Sequence, residues 1–110
     1  MIPDPAPPFE VDASGAMKDR MRRMLLRAAE LGVQADVSQA LTAILQRLTT
    51  DPRDWGDPLR HFRKLQMTQY GGTGYGFRCE YSVHDRIPSV VLTKLFPLSG
   101  NPLHGETFDE

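Results

Sequence analysis

The sequence predicts an α+β fold, with two antiparallel helices packed on one face of a small antiparallel sheet. Three observations carry that prediction. The stretch from Tyr75 to His84 alternates strictly: Tyr75, Phe77, Cys79, Tyr81 and Val83 fall on one side, and Gly76, Arg78, Glu80, Ser82 and His84 on the other, the period of a half-buried strand. Ser89 to Phe96 is rich in β-branched and large apolar residues, and the short link His84-Asp-Arg-Ile-Pro88 makes the two runs hairpin neighbours. Ahead of them, apolar residues recur every three or four positions over two stretches, which is the helical period.

In chain order, residues 1–8 hold four prolines and read as an extended tail. Phe9-Glu-Val11 is a candidate short first strand. Residues 9–98 then form the single domain. From Ser14 to Leu31, Met17, Met21, Met24, Leu25, Ala28 and Leu31 share one helix face. Asp12 or Ser14 is placed to cap its start, and Gly32 stands where a left-handed C-terminal cap residue belongs. The opposite face carries Lys18, Arg20, Arg22, Arg23 and Arg27, either a solvated face or a basic stripe for nucleic acid or an acidic partner.

Asp36, with Gln39 three residues on, predicts the capped start of a second helix whose stripe is Val37, Ala40, Leu41, Ile44, Leu45 and Leu48. Asp51-Pro52 ends it, because a residue before proline avoids the α region. Asp51 to Pro58 reads as a loop, with Trp55 as a hydrophobic lid on the helix–sheet edge. Leu59 to Gln69 mixes apolar and basic residues, and its second half reads as a strand leading to a flexible glycine-rich turn, Tyr70-Gly-Gly-Thr-Gly74. That turn lacks the strand-to-helix setting and the Lys-Ser/Thr ending of a phosphate-binding loop. Residues 99–110 read as a polar, acidic and loosely held C-terminal tail.

Composition sets outer limits. Apolar residues at 40% and charged residues at 25% are ordinary for a globular domain. No apolar run approaches the roughly 20 residues that cross a bilayer, so no membrane partner is expected. The start, Met1-Ile-Pro-Asp-Pro-Ala-Pro-Pro, lacks the basic and apolar parts of a secretory signal, and the lone Cys79 cannot build a disulfide framework. Together these point to a cytoplasmic location. The net charge of −1 is uneven: all 13 basic residues and eight of the 14 acidic ones lie between Ala16 and Leu98, leaving that body at +5.

The chemistry narrows quickly. His61, His84 and His104 stand far apart without a paired-ligand motif, so neither a metal nor a cofactor is expected. Cys79 points with Phe77 and Tyr81 toward the core, as a small buried residue rather than a nucleophile. What remains is the polar face of the sheet. Arg78 lies mid-strand there, with Lys94 on the neighbouring strand and Arg63 and Lys64 in the preceding segment. Such a cluster can clamp phosphates and stabilise charge in phosphodiester cleavage; the other reading is an Arg78–Glu80 pair on a solvated surface.

These residues resemble the RelE/ParE superfamily of toxin–antitoxin toxins. The order of short strand, two helices and three-stranded meander is similar to the family's layout. Leu48-Thr-Thr-Asp-Pro52 with Gly56-Asp-Pro58 resembles the exit from its second helix, and Phe77-Arg-Cys-Glu-Tyr81 is similar to its Tyr-Arg-Val-x-Tyr strand, with Val83-His-Asp following. The resemblance implies the toxin half of a type II toxin–antitoxin pair: an inhibitor of growth neutralised by an antitoxin protein, with ribosome-bound mRNA as target if it is an endoribonuclease. Arg78 falls on the strand arginine that contacts the scissile phosphate in such enzymes. Lys64, Lys94 and His104 are the assisting candidates, and Arg60, Arg63 and Arg86 the RNA-binding ones. The chain departs from the family pattern before the glycine stretch, where Leu65-Gln-Met-Thr-Gln-Tyr70 carries no lysine and Lys64 stands only at its beginning. A catalytically silent binding module on the same fold, directed at gyrase or serving as a plain interaction domain, is the alternative.

Overall fold

A computed structural model describes residues 8–106 and residue 108; the proline-rich tail expected over residues 1–8 falls almost wholly outside that range. The elements run β1 (Glu10–Ala13), α1 (Gly15–Glu30), α2 (Gln34–Thr50), α3 (Pro52–Trp55), β2 (Asp57–Phe62), β3 (Met67–Gly74), β4 (Phe77–His84) and β5 (Ser89–Pro97). One five-stranded sheet has the order β1-β5-β4-β3-β2. β2 to β5 form an antiparallel meander, and β1 joins β5 in parallel, Glu10 opposite Ser89 through Ala13 opposite Leu92. The α+β class holds, with one strand more in the meander than the three expected.

α1 begins where Ser14, not Asp12, accepts the Met17 amide at 3.1 Å. Asp12 instead faces Lys18 at 3.6 Å. Met17, Met24 and Ala28 are buried, with Met21 and Leu25 packed beside them, while Leu31 lies outside the stripe and is exposed. Gly32 (φ +77) turns the chain, and α2 starts at Gln34, earlier than the capping pattern suggested. Asp36 therefore sits inside the first turn, where its charge suits the helix dipole, and makes no side-chain cap. Val37, Leu41, Ile44 and Leu48 form the buried face of α2, and the helix stops before Asp51-Pro52 as expected.

The central hairpin supplies the other half of the core. Phe77, Cys79, Tyr81 and Val83 of β4 are all buried, and Val90, Leu92 and Leu95 of β5 face the same way. Between Glu80 and Tyr81 the register shifts: Glu80 opposes Lys94, but Tyr81 opposes Leu92. The extra residue, Thr93, lets both Leu92 and Leu95 point inward although three positions apart, the normal effect of a β-bulge. Burying side chains of this size contributes about 1.5–3 kcal/mol each.

Three expectations need correction. β2 occupies the end of the expected loop, Asp57 and Pro58, and the unassigned residues after it. It is an edge strand almost entirely exposed, so it has no apolar alternation to announce it. The glycine-rich stretch 70–74 is not a turn but the second half of β3; the turn is the two-residue Tyr75-Gly76, both at positive φ. Residues after β5 are not loosely held along their length: Leu103 is fully buried and Phe108 nearly so, both within the core cluster.

The glycines of β3 are there for room. Trp55 leaves α3 and lies across Gly72, where a Cβ would stand 3.1 Å from its ring, and along Gly74. Its ring stacks on Tyr81 (5.8 Å, 11°), which stacks in turn on Tyr70 (5.7 Å, 9°). Tyr81 donates its hydroxyl hydrogen to the Pro52 carbonyl and accepts the Gly56 amide at 2.9 Å. Trp55 thus roofs the part of the sheet beside α2, as a lid.

Candidate functional site

The face of the sheet turned away from the helices carries the alternate residues of β4: Arg78, Glu80, Ser82 and His84, each part-buried. Arg78 is held in an unusual way. Its guanidinium lies over Gly71 of β3, so that a Cβ there would meet Nη2 first and stand 2.8 Å from Cζ and 3.0 Å from a methyl of Leu59 of β2. Gly71 and Leu59 are the parts of this site that sequence reasoning missed; the glycine was the available signal, since only a missing side chain admits a guanidinium that close.

Glu80 does not pair with Arg78. Its carboxylate, 19% exposed, takes Lys94 from β5 at 3.6 Å, because the bulge sets Glu80 opposite Lys94. Among the described residues no hydrogen bond or ion pair engages the Arg78 guanidinium. Across from it on β5 stands Phe96, 44% exposed. The centre of the open face is therefore one guanidinium with free N–H donors, bordered by apolar surface and by a neutralised Lys94–Glu80 pair. Chemically, that is a seat for a single oxyanion such as a phosphate or a carboxylate.

The other predicted residues are dispersed. Arg60 shares the open face but rests over the Phe62 ring at 5.8 Å, nearer the end of β2. Arg63 and Lys64 sit in the β2–β3 turn, and Arg86 in the β4–β5 turn. Met67, just past Lys64, pairs with His84, six residues along β4 from Arg78. At about 3.3 Å per residue, Lys64 and Arg86 lie roughly 20 Å from Arg78. His104 belongs to the C-terminal segment that packs beside α1, and is exposed there. Lys94 is thus the one proposed helper brought near Arg78.

The other titratable groups have structural occupations. His61 of β2 meets Asp85 at 2.9 Å, and Thr68 donates to the same carboxylate at 2.9 Å, pinning the edge strand to the β4–β5 turn. The His61 hydrogen bond, seconded by Thr68, holds the Asp85 carboxyl below its ordinary value against a smaller opposing effect of burial. Burial pushes the Cys79 thiol up to about 12, which keeps it protonated and unreactive. Among the described residues no group of three His, Cys, Asp or Glu side chains is placed to hold a metal ion, and no helix is long and apolar enough to cross a membrane.

No protein-family model, curated protein or solved structure matches the chain.

The basic stripe of α1 faces its own chain. Arg22 bonds Asp19, and Arg27 bonds Glu30 at 2.8 Å and Glu106 at 3.1 Å. Those carboxylates, Glu30 first, raise the Arg27 pKa above its ordinary value.

Proposed function

We propose that the chain is a toxin-type protein of RelE/ParE-like build that acts by binding rather than by cutting RNA, with the open sheet face as its working surface. Arg78 is the residue that grips an anionic group of the target. The observation behind this reading is the unengaged guanidinium seated on Gly71, a donor group on the open face of the central strand β4. Cleavage of a phosphodiester needs cations and a proton-transfer group gathered around one phosphate. Here Lys94 is tied to Glu80, Lys64 lies roughly 20 Å away, and His104 sits with the α1 segment. That distribution favours the catalytically silent module. Its partners are an antitoxin protein that neutralises it and a protein target of the gyrase type; ribosome-bound mRNA belongs to the competing reading.

Inducible expression in bacterial cells separates the two. The expected result is growth arrest with intact mRNA, relieved by Arg78→Gln. Cleaved mRNA that becomes whole again with Arg78→Gln would replace binding by catalysis. Normal growth under full expression would sink both toxin readings.

A further inference from the structure

We propose that the arginine stripe of α1 is a peptide-docking groove, held in cis by the chain's own C-terminal segment and able to take, in its place, an extended acidic segment of a partner protein. The reading goes beyond the open sheet face and does not depend on it. Arg20, Arg23 and Arg27 are spaced three and four residues apart, so they line one helix face. Each holds a different feature of the C-terminal segment. Arg27 grips the Glu106 carboxylate through Nε and Nη2, both at 3.1 Å. Arg23 donates to the Phe108 main-chain carbonyl at 2.9 Å. Arg20 lies over the Phe108 ring at 5.7 Å and over Phe96 at 5.4 Å, while its Nε bonds the Leu95 carbonyl at 3.1 Å.

Carboxylate, carbonyl and ring are thus recognised in succession, a glutamate two residues ahead of an aromatic. A nucleic-acid strand offers no such series, so the chemistry selects a peptide. The groove does not stop at Phe108: it opens to about 530 Å³ between α1 and β5, lined further by Ser14, Met17, Thr93 and Lys94. The cis segment is attached in a way that permits exchange. Its Arg27–Glu106 pair is partly exposed and of the kind that contributes little by itself. Gly100 (φ +91) and Gly105 (φ +85) form the turns on which it is hung. Phe108 is the anchor, nearly buried in the core cluster.

The probe is a fluorescent peptide with the sequence of residues 104–110, His-Gly-Glu-Thr-Phe-Asp-Glu, titrated into the full chain and followed by anisotropy. Loosening the cis segment is expected to tighten peptide binding over the unmodified protein about threefold with Glu106→Lys, which loses only a partly exposed ion pair, and at least tenfold with Phe108→Ala, which loses the anchor. Adding Arg27→Glu or Arg23→Glu to either variant is expected to abolish it. Glu106→Lys leaves the buried Leu103 and Phe108 in place and keeps the test valid where Phe108→Ala fails to fold. Equal binding by the unmodified chain and Glu106→Lys, or binding indifferent to the arginine changes, would overturn the proposal. A concentration-dependent dimer of Glu106→Lys by light scattering, dispersed by the peptide, would overturn the partner assignment in favour of a second copy of this chain.

Discussion

Replacing Gly71 by alanine separates what Arg78 does from what it holds together. The added methyl would stand 2.8 Å from Cζ of Arg78 and 3.0 Å from a Leu59 methyl, whereas heavy atoms at ordinary contact sit at about 3.5–4.0 Å. Nη2 of Arg78 would be closer still, so the guanidinium must lift by about 1.5 Å, and Leu59 must give by about 0.5 Å. Both are ends of flexible side chains on an exposed face. An off-rotamer adjustment costs about 0.5–1.5 kcal/mol, and removing a glycine from the unfolded chain returns about 0.4–1 kcal/mol. Stability should therefore change by less than about 1 kcal/mol, within roughly 4–8 °C of Tm for a domain of this size. Gly56→Ala is the control: its methyl would strike the Tyr81 hydroxyl at 2.7 Å and the Gly71 main-chain oxygen at 2.8 Å, and backbone cannot step aside. It should cost about 1–3 kcal/mol or more. Thermal unfolding by circular dichroism reads the stability. Phenylglyoxal modification mapped to Arg78 by mass spectrometry reads the guanidinium, which should react several-fold faster in Gly71→Ala. A Gly71→Ala protein that melts as low as Gly56→Ala, or an Arg78 whose reactivity does not change, refutes the account of a guanidinium lodged on a glycine.

Other consequences can be measured directly. Tyr81→Phe leaves the Gly56 amide and Pro52 carbonyl without their partner, so urea denaturation should show a loss of about 1–3 kcal/mol; a loss below about 0.5 kcal/mol would contradict the linkage. Leu103→Ala should cost about 2–5 kcal/mol, as for any fully buried leucine, although it lies in a polar tail; an unchanged denaturation midpoint would mean that the segment is not docked. The Asp85 carboxyl is depressed in the folded state, so its contribution is present above the ordinary carboxylate pKa and lost as pH falls through the lower folded value. The stability gap between the protein and Asp85→Asn should accordingly narrow on acidification below about pH 4, and a gap that widens there would reverse the assignment.

The elements that showed themselves in sequence were those whose side chains repeat. α1, α2, β4 and β5 each bury one stripe, and a stripe at period 3.6 or 2 is visible in any single chain. β2 buries almost nothing and three of the eight residues of β3 are glycine, so neither carries a pattern. Leu103 and Phe108 are single apolar residues in polar surroundings, and only the three-dimensional path shows that they reach the core. For the candidate site, the outward direction of Arg78 followed from alternation with Phe77 and Cys79. Its freedom from Glu80 did not, because that depends on a one-residue bulge in the opposite strand. The distance to Lys64 was hidden in the same way: reading residues 70–74 as a turn shortened β3 and drew the lysine too close.

The ring stack beneath α3 gives the protein an optical signature. Trp55 is the single tryptophan of the chain, and it lies nearly parallel to Tyr81, with Tyr70 stacked behind. Three aromatic chromophores at such spacing couple their electronic transitions, producing near-ultraviolet circular dichroism and efficient tyrosine-to-tryptophan energy transfer. Both signals require α3 to be seated and β3 to be paired with β4. Intrinsic emission therefore monitors the docking of that short helix separately from the helical signal of α1 and α2, with no label attached.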